Sequence, residues 1–258
     1  MERQCWRRQK SGQVLVITSL IIILLLFSTA LYVAETEKNT PISYAEEDIS
    51  FVAHRLGTVH SVISALVNIS NGGSVEVLAE DLNRFESMVL SHSYGSIINM
   101  DWTLSNVAPY QDGVWLSWDQ NGFGISSIFA DFTLNCTGIS KNQYGQHSVN
   151  VTSAISISGQ YTPLNGSSKQ TEITVSILNE GKPALAKNFT VYYEDDGSLL
   201  TEEWIQANPT IVTDYGNGTY LVSFTAETIN PEDPLLVSVH SHDSRSIFVR
   251  ANVTCIQT

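Results

Sequence analysis

The sequence predicts an α+β protein tethered to a membrane: an N-terminal transmembrane helix, an amphipathic helical hairpin packed on an antiparallel sheet, then a β-sandwich. Three observations carry this expectation. Val14 to Ala34 is 21 residues without a charge, and apolar residues then recur at spacings of three and four between Ile49 and Val89. Beyond Ser96, runs rich in β-branched and aromatic residues alternate with turn signals bearing glycine or asparagine. The expected boundaries are a basic leader at 1–12, the helix at 13–34, a spacer at 35–41, an α+β head at 42–165 and the sandwich at 170–258.

The apolar stretch decides where everything else lives. At about 1.5 Å of rise per residue it spans roughly 30 Å, the thickness of a bilayer's hydrocarbon core. Arg3, Arg7, Arg8 and Lys10 precede it, whereas Glu35 and Glu37 follow. The positive-inside bias therefore puts the N-terminus in the cytoplasm and residues 35–258 outside. Three fates are open to the segment. It stays as an uncut anchor, or a signal peptidase removes it after Ala30, with Ser28 and Ala30 as the small residues such a site needs. The third fate rests on Lys10-Ser11-Gly12-Gln13, which resembles the class III signal of archaeal type IV pilin-like proteins and the G-Q start of Tad-type pseudopilins. That resemblance implies cleavage by a prepilin peptidase between Gly12 and Gln13, with the helix kept as anchor or filament core. It alone points to an archaeal source.

Charge and cysteine usage fit an exported chain. Past the anchor, nine basic residues stand against 25 acidic ones, so nucleic acid is a poor partner. Cys136 and Cys255 are the two cysteines beyond the helix, and an oxidising exterior makes them a candidate disulfide, with two buried thiols as the alternative. No C-x-x-C pair exists for a metal. Glycosylation sequons occur at Asn68, Asn135, Asn150, Asn165, Asn188, Asn217 and Asn252. Asn135 and Asn252 lie beside the cysteines, where a buried strand would mask them.

The head reads as two helices and four strands. Ser43-Tyr44-Ala45-Glu46 is a capping box, followed by Ile49, Val52, Leu56, Val59, Ile63 and Leu66 on one helix face. Asn68 to Gly73 breaks the pattern, and Val75, Leu78, Leu82, Phe85 and Val89 resume it. Such a hairpin needs a third surface to cover its stripes, either the following sheet or a neighbouring subunit. Strands are expected at Ile97–Leu104, Gly113–Trp118, Ser126–Cys136 and Ser148–Tyr161.

Pro163 to Lys169 has linker composition, and six short strands follow at spacings near ten residues. They are Thr171–Leu178, Asn188–Glu194, Thr210–Thr213, Gly218–Thr225, Leu235–His240 and Ser246–Ile256, a spacing that suggests an immunoglobulin-like sandwich. Within them Asp214-Tyr215-Gly216-Asn217-Gly218-Thr219-Tyr220 resembles the D-x-G-x-G-x-Y turn and strand of filamin-type and bacterial Ig-like surface repeats.

Chemistry is sparse. No nucleophile elbow, P-loop, zincin helix or dinucleotide fingerprint is present, so the chain is expected to be noncatalytic and without a cofactor. His240-Ser241-His242-Asp243 puts two imidazoles on one strand face; a polar strand end explains it better than a metal site. Glu194, Asp195, Asp196, Glu202 and Glu203 lack the spacing of a calcium loop and read as a solvated acidic surface. Trp102, Trp115 and Trp118 with Tyr110 and Phe123 are candidates for a sugar-stacking face, though alternation sends part of the set into the core. The leading expectation is an anchored surface protein serving adhesion, filament assembly or envelope structure. Its partners would be the membrane, a prepilin or signal peptidase, and copies of itself or other envelope proteins. A cell-surface carbohydrate or ligand receptor is the alternative, and a secreted hydrolase a weaker third.

Overall fold

A helix, α1, forms over Ile49–Ser70 because Thr58, Val62, Ala65, Leu66 and Ile69 fall on one face and are buried there. It stops where Gly72 takes a left-handed turn at φ 96° and the Gly73 amide donates back to the Asn68 carbonyl. The Ser74 hydroxyl then accepts from the Glu76 amide, and a second helix, α2, runs over Val77–Ser91 with Leu78, Leu82 and Val89 buried. The computed structural model describes residues 49–91, 96–118, 121–138, 142–164, 166–195, 204–229, 232 and 234–258. The leader, the apolar stretch, Gly12, Gln13, the capping box at Ser43 and the Asn165 sequon lie outside them. No described helix is long and apolar enough to cross a membrane.

The described residues are mostly β-sheet with these two helices, a sandwich-like α+β arrangement. β1 (Ser96–Leu104) and β2 (Val114–Trp118) pair one after the other along β3 (Phe123–Gly138), and β4 (Asn142–Pro163) pairs along the whole of β3. The helices cover one face of this sheet, burying Met100, Ile128, Ala130, Phe132, Leu134, Val149 and Val151. β3 and β4 both begin earlier than hydrophobic alternation predicts. Their extra length is ladder: pairing continues to Thr137 opposite Asn142, through Tyr144 and Gln146 on an exposed face. Backbone pairing there outweighs side-chain pattern.

The chain then turns back on itself. The expected linker is a hairpin turn, in which the Leu164 amide donates to the Ser168 carbonyl at 2.8 Å and Pro163 already faces Lys169 across the ladder. Next come β5 (Ser168–Asn179), β6 (Lys182–Pro183), β7 (Ala186–Tyr193), β8 (Ile205–Gln206), β9 (Ile211–Asp214), β10 (Thr219–Glu227), β11 (Leu235–Asp243) and β12 (Phe248–Gln257). One layer runs β4-β5-β10-β9 and the other β12-β11-β7-β8; β12 joins β4 in parallel at its last residues. Their inner faces enclose Ile173, Val175, Ile177, Val222, Phe224, Val237, Val239, Val249 and Ala251.

β4 belongs to both cores. Its Val149 and Val151 lie under the helices, and its Ile155, Ile157 and Tyr161 lie in the sandwich. The turn before β10 follows its sequence closely: Gly216 and Gly218 take φ 74° and 77°, and Asp214 and Asn217 side chains accept from the Gly216 and Thr219 amides. Tyr220 is buried, its hydroxyl accepting from the Ala186 amide at 2.9 Å.

The expected Cys136–Cys255 disulfide is not formed. Cys136 packs with Val89 and Ile98, whereas Cys255 lies in the sandwich core. Their ladder neighbours on β4 are Gln143 and, one residue on from Cys255, Gln160. Seventeen residues of strand cover about 55 Å at 3.3 Å each, against about 6 Å between the Cα atoms of a disulfide. They are the two cysteines beyond the apolar stretch, but strand length keeps them apart and both are buried thiols.

Candidate functional site

A concave site lined by polar and aromatic side chains lies on the outer face of β7, β11 and β12. In each strand alternate residues enter the sandwich core: Val191 and Tyr193, Val237 and Val239, Val249 and Ala251. The intervening residues stack in rows across the face. Tyr192 pairs with Ser238 and Ser238 with Asn252; Thr190 pairs with His240 and His240 with Arg250; Asn188 pairs with His242 and His242 with Phe248.

Two tryptophans stand over these rows. Trp118 of β2 packs edge-on against Phe248 at 5.3 Å, and the Arg250 guanidinium lies 5.0 Å from its ring centre. Its indole N–H donates to the Ser126 hydroxyl, which donates to the Phe248 carbonyl at 2.7 Å. Trp204, just ahead of β8, lines a cavity of 140 Å³ with Tyr192, Ser238, His240, Arg250 and Asn252.

The polar lining is incompletely satisfied. Trp204 Nε1, Arg250 Nε and Asn252 Oδ1 are buried and have no hydrogen-bond partner among the described residues. His240 Nε2 is bonded to the Ser238 hydroxyl at 3.0 Å, and its ring tilts against Tyr192 at 4.8 Å. Burial, reinforced by Arg250 and then by His242, pushes its pKa down to about 4. At neutral pH the imidazole is therefore uncharged, and Arg250 is the cation of the lining.

No protein-family model matches the chain, and no curated protein matches it either. The site is consequently read from its own geometry. His240 and His242 do share a face, as their spacing predicts, but Asp243 points the other way and is fully buried on Arg245. His242 is bonded through Nδ1 to Asn188 and through Nε2 to Asn71 in the turn after α1, both at 3.0 Å. Asn71 Nδ2 donates to the Val67 and Ser246 carbonyls, which leaves its Oδ1 to accept from His242. That imidazole ties the helical hairpin to the sandwich. Among the described residues no three His, Cys, Asp or Glu side chains converge as metal ligands.

The aromatic set does not form one platform. Trp102 packs against the helix-covered core, Trp118 against the sandwich, and Trp115 meets Tyr110 on the opposite face at 6.0 Å, while Phe123 is exposed. Of the acidic group, Glu194 is buried and Asp195 half-buried at the end of β7; Asp196, Glu202 and Glu203 lie outside the described residues.

The sequons divide by environment. Asn68, Asn135, Asn150, Asn188 and Asn217 are exposed. Asn150 Oδ1 accepts from Thr152 at 3.1 Å and from Ser127 at 3.3 Å, Asn188 holds His242, and Asn217 holds the turn before β10. Asn252 is half-buried and lines the cavity, and its Oδ1 is buried.

The sequence pointed to His240, and to Asn252 as a sequon, but not to Tyr192, Trp204 or Arg250. Alternation on β7, β11 and β12 makes their outer residues look solvent-facing. The available signal was compositional: an Arg and an Asn two apart on the last strand, opposite His240 and Ser238.

Proposed function

We propose that this chain is a noncatalytic, membrane-anchored protein of the cell exterior, a pilin-like, adhesive or envelope component. The observation that carries the reading is the 22-residue β4 strand, which is built into both hydrophobic cores. A continuous strand shared in this way makes the helix-covered sheet and the sandwich one mechanical body. Such a body suits a displayed surface, and the uncharged Val14–Ala34 stretch supplies the anchor in the sequence. Strand order supports an immunoglobulin-like assignment for the second part: β4-β5-β10-β9 opposite β12-β11-β7 has the order of the A-B-E-D and G-F-C layers of that sandwich.

The test is the first residue of the mature protein, read by mass spectrometry from the membrane fraction of a host with a prepilin peptidase. Processing to Gln13, abolished by Gly12→Leu, is the expected result. A start after Ala30 leaves a secreted protein with no anchor, and an unprocessed chain in both proteins removes the pilin-like reading while keeping the anchor. Recovery of the intact chain in the soluble cytosol overturns the proposal.

A further inference from the structure

The geometry points to the cavity over β7, β11 and β12 as a binding site for a small monocarboxylate that also carries a hydroxyl or amine. Nothing in the anchoring role requires such a site. Its evidence is the coincidence of three buried polar atoms without a partner among the described residues: Trp204 Nε1, Arg250 Nε and Asn252 Oδ1 all belong to residues lining the same 140 Å³ cavity. Buried polar groups ordinarily find partners, and leaving one unpaired costs about 1–3 kcal/mol. Three around one space call for an occupant.

The chemistry of the lining selects the ligand. Trp204 and Arg250 present N–H donors, and Arg250 adds a positive charge that no described carboxylate meets within salt-bridge distance. Uncharged His240 contributes no second cation. One guanidinium matches one negative charge, so a monoanion fits and a phosphate dianion does not. Asn252 Oδ1 is an acceptor and asks for a donor on the same ligand. Tyr192, Trp204 and His240 are flat aromatic walls that cover a short carbon body. A space of this size holds about as many heavy atoms as benzene. Glycerate satisfies every requirement: a carboxylate for Arg250 and Trp204, hydroxyls for Asn252, and a body about the size of benzene.

Saturation-transfer NMR on the detergent-solubilised full chain tests this with glycerate, with neutral glycerol and inorganic phosphate as controls. Glycerate is expected to bind at least about tenfold more tightly than either control, the loss that follows from one charge-assisted hydrogen bond. Asn252→Asp adds a carboxylate to the lining, which competes with the ligand's carboxylate for Arg250 and repels it, and is expected to abolish glycerate binding. Trp204→Phe keeps an aromatic wall and removes one donor, weakening binding about tenfold without lowering the melting temperature of the empty protein. Equal binding of glycerate and glycerol, or no transfer to glycerate, overturns the site and leaves a water-filled cavity. If only the Glu202→Gln/Glu203→Gln double variant binds glycerate, the natural occupant is a carboxylate of the chain itself and the proposal also fails. None of these outcomes bears on the processing of Gly12, so the two readings fail separately.

Discussion

Arg245 donates through Nε to Asp243 Oδ2 at 2.8 Å, and the Asp243 side chain is completely buried. The same carboxylate accepts from the Arg245 and Ile247 amides at 2.9 and 3.0 Å, which fixes the turn between β11 and β12. The guanidinium also reaches Glu180 Oε1 at 2.7 Å and the Thr152 carbonyl at 2.9 Å. One side chain thus joins a turn of the second layer to β4 and to the turn after β5. Removing it strands a buried charge, which costs more than the pair contributes when intact. Arg245→Ala is expected to lower unfolding free energy by about 3 kcal/mol. Glu180→Gln, at the exposed end of the network, is expected to cost under about 1 kcal/mol. Urea denaturation of the two variants decides it; equal losses would show that the burial of Asp243 is not what matters.

At Gly124, β3 runs close against the backbone of β12. A Cβ there would overlap the Arg250 carbonyl oxygen, a backbone atom with no rotamer to retreat into, and would meet Ile155 Cγ2 at 3.0 Å. Its backbone φ is ordinary for a strand, so the demand is for space alone. Gly124→Ala is expected to destabilise by about 3 kcal/mol through overpacking. Because β3 must then lift from β12, Arg250 should shift with it. A thermal melt within a degree or so of the parent would sink this reading.

His240 makes stability depend on pH in a definite direction. Its pKa is near 6.5 in the unfolded chain and about 4 in the folded protein, lowered by burial first and by Arg250 and His242 second. Between those values the unfolded chain binds more protons, so stability is complete above about pH 6.5 and is lost as pH falls toward 4. The loss is on the order of 2 kcal/mol, less than the full shift implies because the ring is partly exposed and water screens it. His147, bonded to Thr58 at 3.0 Å and lowered by burial and then by Arg55, slopes the same way. His240→Gln should flatten the larger part of the slope and leave the smaller. Denaturation midpoints at a series of pH values measure both.

Much of this fold was legible in periodicity. The two helices and the six strands after Pro163 appear near where spacing of apolar residues puts them. The buried face of α1 differs from the expected stripe: Val52 and Leu56 are exposed, and Thr58, Val62, Ala65 and Ile69 are buried beside Leu66. β9 is exposed along its length and is held by its ladder to β10. The Asp214–Tyr220 turn was legible for a different reason: two glycines and two side-chain caps permit little else. What escaped was anything depending on non-local pairing. Pro163 to Lys169 has the composition of a linker and of a hairpin turn alike, and only the ladder between β4 and β5 distinguishes them. Arg250 escaped because alternation reports which face a residue takes, not what later covers that face. Trp118 and Trp204 arrive from distant parts of the chain, and no local pattern announces them.

The cysteines give the last prediction. Burial pushes the Cys255 thiol up to about 12 despite the opposing charge of Lys169, so at pH 8 only about one molecule in ten thousand carries the thiolate. Its sulfur also fills the space beside Gly159, where a Cβ would come within 2.5 Å of it. Reagent access therefore requires the sandwich to open. Modification of Cys255 by a disulfide reagent should be negligible in the native protein and should track global unfolding as urea is raised. After denaturing alkylation without reductant, peptide mapping should recover Cys136 and Cys255 on separate alkylated peptides. A single cross-linked peptide containing both would mean that β4 does not hold them about 55 Å of strand apart, and the shared-strand architecture would fall with that result.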